Sequence, residues 1–352
     1  MHGRTESIRS GQETGISSHN SGIAHSRIFA NPLRARGAGL PEADLRGAAA
    51  FAPHLPATPL HDGPALAAAM GLSRLLIKDE TARWGLNAFK ITGASYALET
   101  WGGGAPITRL VAASAGNHGR AVARAARDRG LACSVFLPAD ALPSRVQAIR
   151  DEGAEVVQID GTYEDALARA ETEAERRGAV LVSDTSPPGD PAIPALILRG
   201  YTRVFSEAAA AWPAAPEIVV VQGGVGGLVG AAAGWIRTRL PDAILIAAEP
   251  EGAACLRESA RAGRRLRLPF TAPTSMVCLR CAEPSAAAWP FIASGVDGFV
   301  TVSDAEAAGA VRALDGIGIR AGASGACGLA ALTAVAEDFP GRAAMIVVTE
   351  AD

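Results

Sequence analysis

The sequence predicts an α/β protein of open parallel sheets, each covered by helices on both faces. Three observations lead there. Short apolar, β-rich runs alternate with Ala/Arg/Glu-rich segments of helical spacing. The runs carry few charges on either face, as strands do when helices cover both sides of a sheet. Gly130, Gly153 and Gly178 each stand between a helical segment and the next strand, where a left-handed C-terminal cap is favoured.

Residues 1–27 are rich in Ser, Gly, His and Arg without periodicity and read as a flexible tail. The strands expected after them are Arg74–Lys78, Leu110–Ala113, Cys133–Leu137, Glu155–Ile159, Val180–Ser183, Ile218–Val221, Ile244–Ala247, Phe299–Val302 and Met345–Val348. Helical spacing marks His118–Arg129, Ser144–Asp151 and Tyr163–Arg177, and Asp304 reads as the N-cap of a later helix. Ala208–Ala211 and Ala231–Ala233 are high-propensity helix. Glu217–Arg237 is long enough for a membrane span, but Gln222 and six glycines interrupt it. A strand, a glycine loop and a helix explain it better.

The 352 residues suffice for roughly two domains and a cleft. With 49% hydrophobic and 20% charged residues, the composition is that of a folded chain. Lys plus Arg number 33 against 36 Asp plus Glu, a net charge of −3, so no basic field is available for a nucleic-acid backbone. The 5% aromatic content also disfavours base stacking. Five cysteines, an odd count in a long chain, do not suit a disulfide-built secreted fold. The first residues hold no apolar stretch of signal-peptide length. A soluble cytoplasmic protein is expected.

Three segments carry chemistry. In KDETARWGLNAFKITGASYA (Lys78–Ala97), Lys90 is the single charged residue of Gly85–Leu98, between Phe89 and Ile91. An apolar setting disfavours the ammonium and lowers a lysine's pKa. A neutral lysine can attack an aldehyde to form a Schiff base. A helix-start lysine with its head in water is the other reading. In SAGNHGRAVARAAR, starting at Ser114, a strand turns into a helix. Gly116 and Gly119 flank Asn117 and His118, so backbone N–H groups stand free for an anion or carboxylate. Asn117 adds an amide that can donate to a phenolate oxygen. A turn without a ligand fits as well, and His118 reads more naturally as a structural hydrogen-bonder than as a base. In VVVQGGVGGLVGAA (Val219–Ala232), Gly223, Gly224, Val225, Gly226 and Gly227 let successive amides converge on a phosphate at a helix N-terminus. The spacing is not G-x-G-x-x-G, and no Lys-Ser/Thr follows, which excludes a Walker A loop. Close helix–strand packing is the alternative. Together, a Schiff-base lysine, an Asn turn and a phosphate loop fit pyridoxal phosphate.

The chain resembles the fold type II pyridoxal-phosphate enzymes, the tryptophan-synthase-β-like group with the serine and threonine dehydratases. Within it, the chain is most similar to the diaminopropionate ammonia-lyases. The resemblance runs from about Phe51 onward. Its most specific strings are KDETARWGLNAFK (Lys78–Lys90) and CAEPSAAAWP (Cys281–Pro290). GNHGRAVA (Gly116–Ala123), SDT (Ser183–Thr185), GYTRVFSEA (Gly200–Ala208), QGGVGGL (Gln222–Leu228) and TEAD (Thr349–Asp352) add to them.

The resemblance implies a large cofactor domain of residues 28–102 plus 186–352 and a small inserted domain of 103–185, both open parallel-sheet, three-layer α/β units. The site would lie between them, in a homodimer. Lys90 would hold the cofactor and shuttle the α-proton, and Phe89 would pack near the ring. Asn117 would bond the ring hydroxyl, Gly223–Gly227 would wrap the phosphate, and Thr349 would face the pyridine nitrogen. Ser114, Ala115, Gly116 and His118 would cover the substrate carboxylate. Asp184 matches an acidic residue used near the substrate's α-carbon or amine. The implied reaction is α,β-elimination on a small L-amino acid, L-2,3-diaminopropionate first, giving pyruvate and ammonia. An L-serine/threonine dehydratase, or a biosynthetic enzyme of β-elimination or β-replacement, is the alternative. A catalytically silent binding homologue is disfavoured by the intact Lys90, Asn117 and glycine loop.

Three positions depart from the family's pattern. Ala115 replaces an Asp associated with handling the D-isomer, Ala323 replaces a Glu, and Cys278 replaces a small glycine. Cys278 and Cys281 form a C-x-x-C, weak for zinc without a second pair; no metal is expected. The resemblance places Cys255 and Cys281 near the site entrance, where they could pair as a disulfide.

Overall fold

The computed structural model describes residues 27–35, 39–52, 54–102, 106–185, 192–270 and 272–351. Almost all of the expected tail lies outside them. The strands are β1 (Phe29–Ala30), β2 (Leu60–Asp62), β3 (Arg74–Asp79), β4 (Arg109–Ala113), β5 (Ala132–Pro138), β6 (Glu155–Ile159), β7 (Val180–Leu181), β8 (Ile218–Gln222), β9 (Ile244–Pro250), β10 (Gly298–Val302) and β11 (Ala343–Val348). They form a sheet of order β1-β10-β9-β8-β11-β3-β2 and a second of order β6-β5-β4-β7. The second sheet is parallel throughout. In the first, only the edge strands β1 and β2 run antiparallel. These two escaped the sequence reading because runs of two or three residues carry no periodicity. β7 is shorter than the expected Val180–Ser183, and it ends where the chain turns into the site.

Alternation along the central strands builds the core. Val219, Val221, Leu245, Ala247, Met345 and Val347 enter one buried cluster, while Ile218, Val220, Ile246, Ala248, Ala344 and Ile346 enter another on the opposite face. The first cluster also takes Leu110, Ala112, Val135 and Leu137 from the small sheet, so one apolar layer links the two sheets. The other face of the small sheet packs Val111, Ala113 and Phe136 on Ala166, Ala170 and Ala174 of the helix Tyr163–Arg177. That helix starts on a Thr162–Asp165 capping box and ends on Gly178 at φ 60°. Gly130 and Gly153 are also left-handed, at φ 65° and 88°.

Asp304 is not the N-cap of its helix. Ser303 holds that position, in a capping box with Glu306, and the Asp304 carboxylate instead accepts from Thr274 and Ser275. The apolar stretch Glu217–Arg237 divides into β8 and the helix Gly227–Arg239. No helix among the described residues is long and apolar enough to cross a membrane.

Candidate active site

Parallel strands bring their carboxyl ends to one side of a sheet, where α/β folds place ligands. Asn117–His118 follow β4, Asp184 follows β7, the Gly223–Gly227 turn follows β8, and Thr349 follows β11. Lys90 arrives differently. After β3 the chain makes a turn with Trp84 and Gly85 at positive φ. It then lies against the end of β11: Ala88 bridges Glu350, the Phe89 N–H donates to Thr349 O at 3.3 Å, and Ala351 N–H donates to Asn87 O at 2.9 Å. Lys90 sits at the N-cap of the helix Ile91–Thr100, next to Thr349 through this pairing.

The Lys90 Nζ donates to Asp184 Oδ2 at 2.6 Å. Burial alone would lower the lysine pKa, as the sequence reading expected. The Asp184 carboxylate outweighs it, and the pKa is raised. The expected neutral amine is thus corrected: without a covalent partner, this lysine is an ammonium in an ion pair. Asp184 is held below the usual carboxylate range, because the charges of His118 and Lys90 overcome its burial.

His118 faces inward. Its Nε2 lies 2.9 Å from Val182 O and its Nδ1 3.8 Å from Asp184 Oδ2, with the residue 4% exposed. Burial lowers its pKa. Ser114, Ala115, Gly116 and Asn117 are the half-buried members of the turn. Gly116 N–H bonds Ser114 Oγ at 3.2 Å, and Asn117 Nδ2 points at Cys278 Sγ, 3.8 Å away.

The glycine turn has room for backbone alone. A Cβ on Gly224 would lie 2.7 Å from Cys281 Sγ, and one on Gly226, at φ 89°, would overlap Ile292 Cδ1. The first-turn N–H groups of the helix Gly227–Arg239 have no intrahelical acceptor, which makes the turn from Gly224 onward an anion cradle; the Gly223 N–H instead donates to Ala248 O at 2.9 Å. An amine beside two aromatic rings and a carboxylate, an anion cradle and a buried hydroxyl at Thr349 together fit an aldehyde-, phosphate- and pyridine-bearing cofactor.

The family profile described as "Pyridoxal-phosphate dependent enzyme" matches residues 52–350. The chain belongs to the pyridoxal-phosphate-dependent enzyme family. Pyridoxal phosphate is its cofactor. The chain is 33% identical to the diaminopropionate ammonia-lyase of Salmonella typhimurium, over 74% of this chain and 72% of that protein. Diaminopropionate ammonia-lyase from Escherichia coli, solved with an aminoacrylate-PLP azomethine reaction intermediate, superposes with a TM-score of 0.82 at 27% identity. That match covers 92% of this chain and 93% of the other. The T.th. threonine deaminase superposes with a TM-score of 0.79 at 28% identity, covering 88% and 98%. These relatives are fold type II enzymes, and the two sheets, parallel but for the edge strands β1 and β2, conform to that fold.

Within the family site, two residues carry more than their sequence suggested. Tyr201, fully buried, sets its ring 4.7 Å from that of Phe89, with Lys90 Nζ 5.7 Å from its centroid and a Gly227 Cβ position 3.2 Å from its Cε2. It therefore spans the lysine and the phosphate turn. In the sequence it is one aromatic on an apolar helix, and only the glycines at 93 and 227 that receive it could have flagged it. Gln222, read only as an interruption of an apolar stretch, places the two protons of its Nε2 among four acceptors within 3.2 Å. Cys255 and Cys281 are free thiols in the structure, both against Gly224, so the expected pairing is not formed there. Burial pushes the Cys281 thiol up to about 12.

Proposed function

We propose that this enzyme is an ammonia-lyase that performs α,β-elimination on a small L-amino acid, with L-2,3-diaminopropionate as substrate and pyruvate and ammonia as products. The Lys90–Asp184 pair carries the reading: an amine for the cofactor and a carboxylate touch at 2.6 Å. Bound pyridoxal phosphate supplies an aldehyde for the lysine and an electron sink that makes the substrate's α-proton acidic. Once substrate frees the Lys90 amine, that amine or Asp184 takes the α-proton. The turn Ser114–Asn117 covers the substrate carboxylate with N–H groups, and Asn117 donates to the ring hydroxyl. The Gly223–Gly227 turn holds the phosphate, Phe89 packs beside the ring, and Thr349 meets the pyridine nitrogen.

The proposal includes the two-domain division, residues 28–102 plus 186–352 and 103–185. The placement of the strands in two separate sheets supports it. It also includes a cytoplasmic homodimer, as the resemblance implies. A dehydratase acting on L-serine or L-threonine is the second reading, favoured by Ala115 in a turn that lacks a carboxylate. Ammonia and keto-acid release from L-diaminopropionate, D-diaminopropionate, L-serine and L-threonine decides between them. Fastest release from L-diaminopropionate is expected; faster release from L-serine or L-threonine overturns the first reading in favour of the second.

A further inference from the structure

Gln222 is 2% exposed and directly precedes the glycine turn. Its Nε2 lies 3.2 Å from Ser324 O, 2.8 Å from Gly325 O, 3.0 Å from Val347 O and 3.0 Å from Thr349 Oγ1. Three of these partners are carbonyl oxygens, which only accept. The amide orientation is therefore fixed, because the flipped form would press four oxygens together. Its Oε1 has no hydrogen-bond partner among the described residues, an uncompensated cost for a buried acceptor. An amide nitrogen has no lone pair to offer. Thr349 Oγ1 can thus only accept from Gln222, and its own proton must point elsewhere. Among the described residues, Gln222 is the one partner of that hydroxyl.

We propose that Gln222 is a positioning residue. By filling the acceptor side of the Thr349 hydroxyl, it turns the hydroxyl proton toward the cofactor, so that Thr349 meets the pyridine nitrogen as a donor and the nitrogen stays unprotonated. The same side chain joins the phosphate turn to the nitrogen partner, since Gly223 is its neighbour in the chain. The inference rests on the placement of the pyridine nitrogen at Thr349 given above, and it adds the residue that sets the polarity of that contact.

The test is nitrogen NMR of holoenzyme reconstituted with ring-15N pyridoxal phosphate. It is run on the wild type, Gln222→Met, Thr349→Val and the double variant, each first checked for the visible absorbance of Lys90-bound cofactor. The wild-type resonance is expected at the position of an unprotonated, hydrogen-bonded pyridine. Gln222→Met and Thr349→Val should each move it, and the double variant should match Thr349→Val. A protonated nitrogen in the wild type overturns the proposal, and that result needs no variant to fold. So does an unmoved resonance in Gln222→Met when Thr349→Val moves it. A resonance unmoved by Thr349→Val overturns instead the placement of the nitrogen at Thr349, and the proposal with it. Wild type without a Lys90-dependent band overturns the cofactor site itself.

Discussion

The Lys90 ammonium reaches Asp184 across 94 residues of sequence, Nζ to Oδ2 at 2.6 Å. One residue precedes the helix Ile91–Thr100, which packs on the helices Ala192–Ala211 and Asn117–Arg127, and the other leaves the edge strand of the small sheet. The contact therefore closes the space between the two sheets as well as joining an acid and an amine. Each charge stabilises the other in a setting whose burial opposes both.

Lys90→Ala is expected to abolish both turnover and the visible absorbance of enzyme-bound cofactor. Full turnover in that variant would end the reading of the site. Asp184→Asn should lower turnover of L-diaminopropionate by about 10²–10⁴-fold, the usual range for a lost acid–base group. Cofactor affinity should change far less, because the carboxylate touches neither the phosphate turn nor Thr349. Steady-state rates and cofactor titration of the apoenzyme check both halves, and unchanged turnover removes Asp184 from the chemistry.

The glycine turn makes a separable prediction. Gly226→Ala places a methyl onto Ile292 Cδ1 at φ 89°. The left-handed backbone alone costs about 1–2 kcal/mol, and the clash distorts the anion cradle, so cofactor affinity should fall at least tenfold, about 1.4 kcal/mol. Gly71→Ala is the control. Gly71 is also left-handed, at φ 68°, but no atom lies within 4 Å of its Cβ position. It should lose stability without losing affinity; equal affinity loss in both would show the turn's shape to be irrelevant.

Most of this architecture is legible in the sequence because the signals are local. β8 is a continuous buried run, and the glycines that follow it interrupt the apolar stretch as a turn does. Lys90 stands out as one charge in an apolar stretch. What local reading misses is partnership. It assigns Lys90 a depressed pKa because the counter-charge at 184 lies far along the chain and returns only through β7. It passes over Gln222 and Tyr201 because an amide before glycines and an aromatic on a helix show nothing until strands and helices pack. The Asp304 cap is missed by one residue because Ser303 and Asp304 are both good capping types, and the reciprocal bond from Glu306 decides between them.

Position 115 tests stereochemistry. Ala115 lies half-buried in the turn that follows β4, beside Gly116 and Asn117. A carboxylate there would stand on the small-sheet side of the site, as a second proton acceptor. Ala115→Asp is expected to raise turnover of D-diaminopropionate relative to the L-isomer, measured as the ratio of kcat/KM values. A ratio that does not move shows that position 115 does not select the substrate's hand.

The last prediction concerns stability away from the chemistry. Glu207 holds a buried polar network beneath the Lys90 loop. Its carboxylate accepts from Arg83 at 2.8 and 2.7 Å, from Lys78 at 2.9 Å and from Arg203 at 2.6 Å. Burial works against the ionised form, but the hydrogen bonds and charges of Arg83, with Lys78 and Arg203, overcome it and hold the carboxyl at about 2 rather than the ordinary 4.5. A folded pKa below the unfolded one gives stability that is present above about 4.5 and lost as pH falls toward about 2. That depression corresponds to about 3 kcal/mol. Glu207→Gln should therefore cost about 3 kcal/mol at neutral pH, leaving cations without their shared partner. The gap to the wild type should close between pH 4.5 and 2, where the wild-type carboxyl takes up its proton. Denaturant unfolding of both proteins across that range measures it. A gap that stays constant with pH would mean that the network holds through packing rather than through the charge on Glu207.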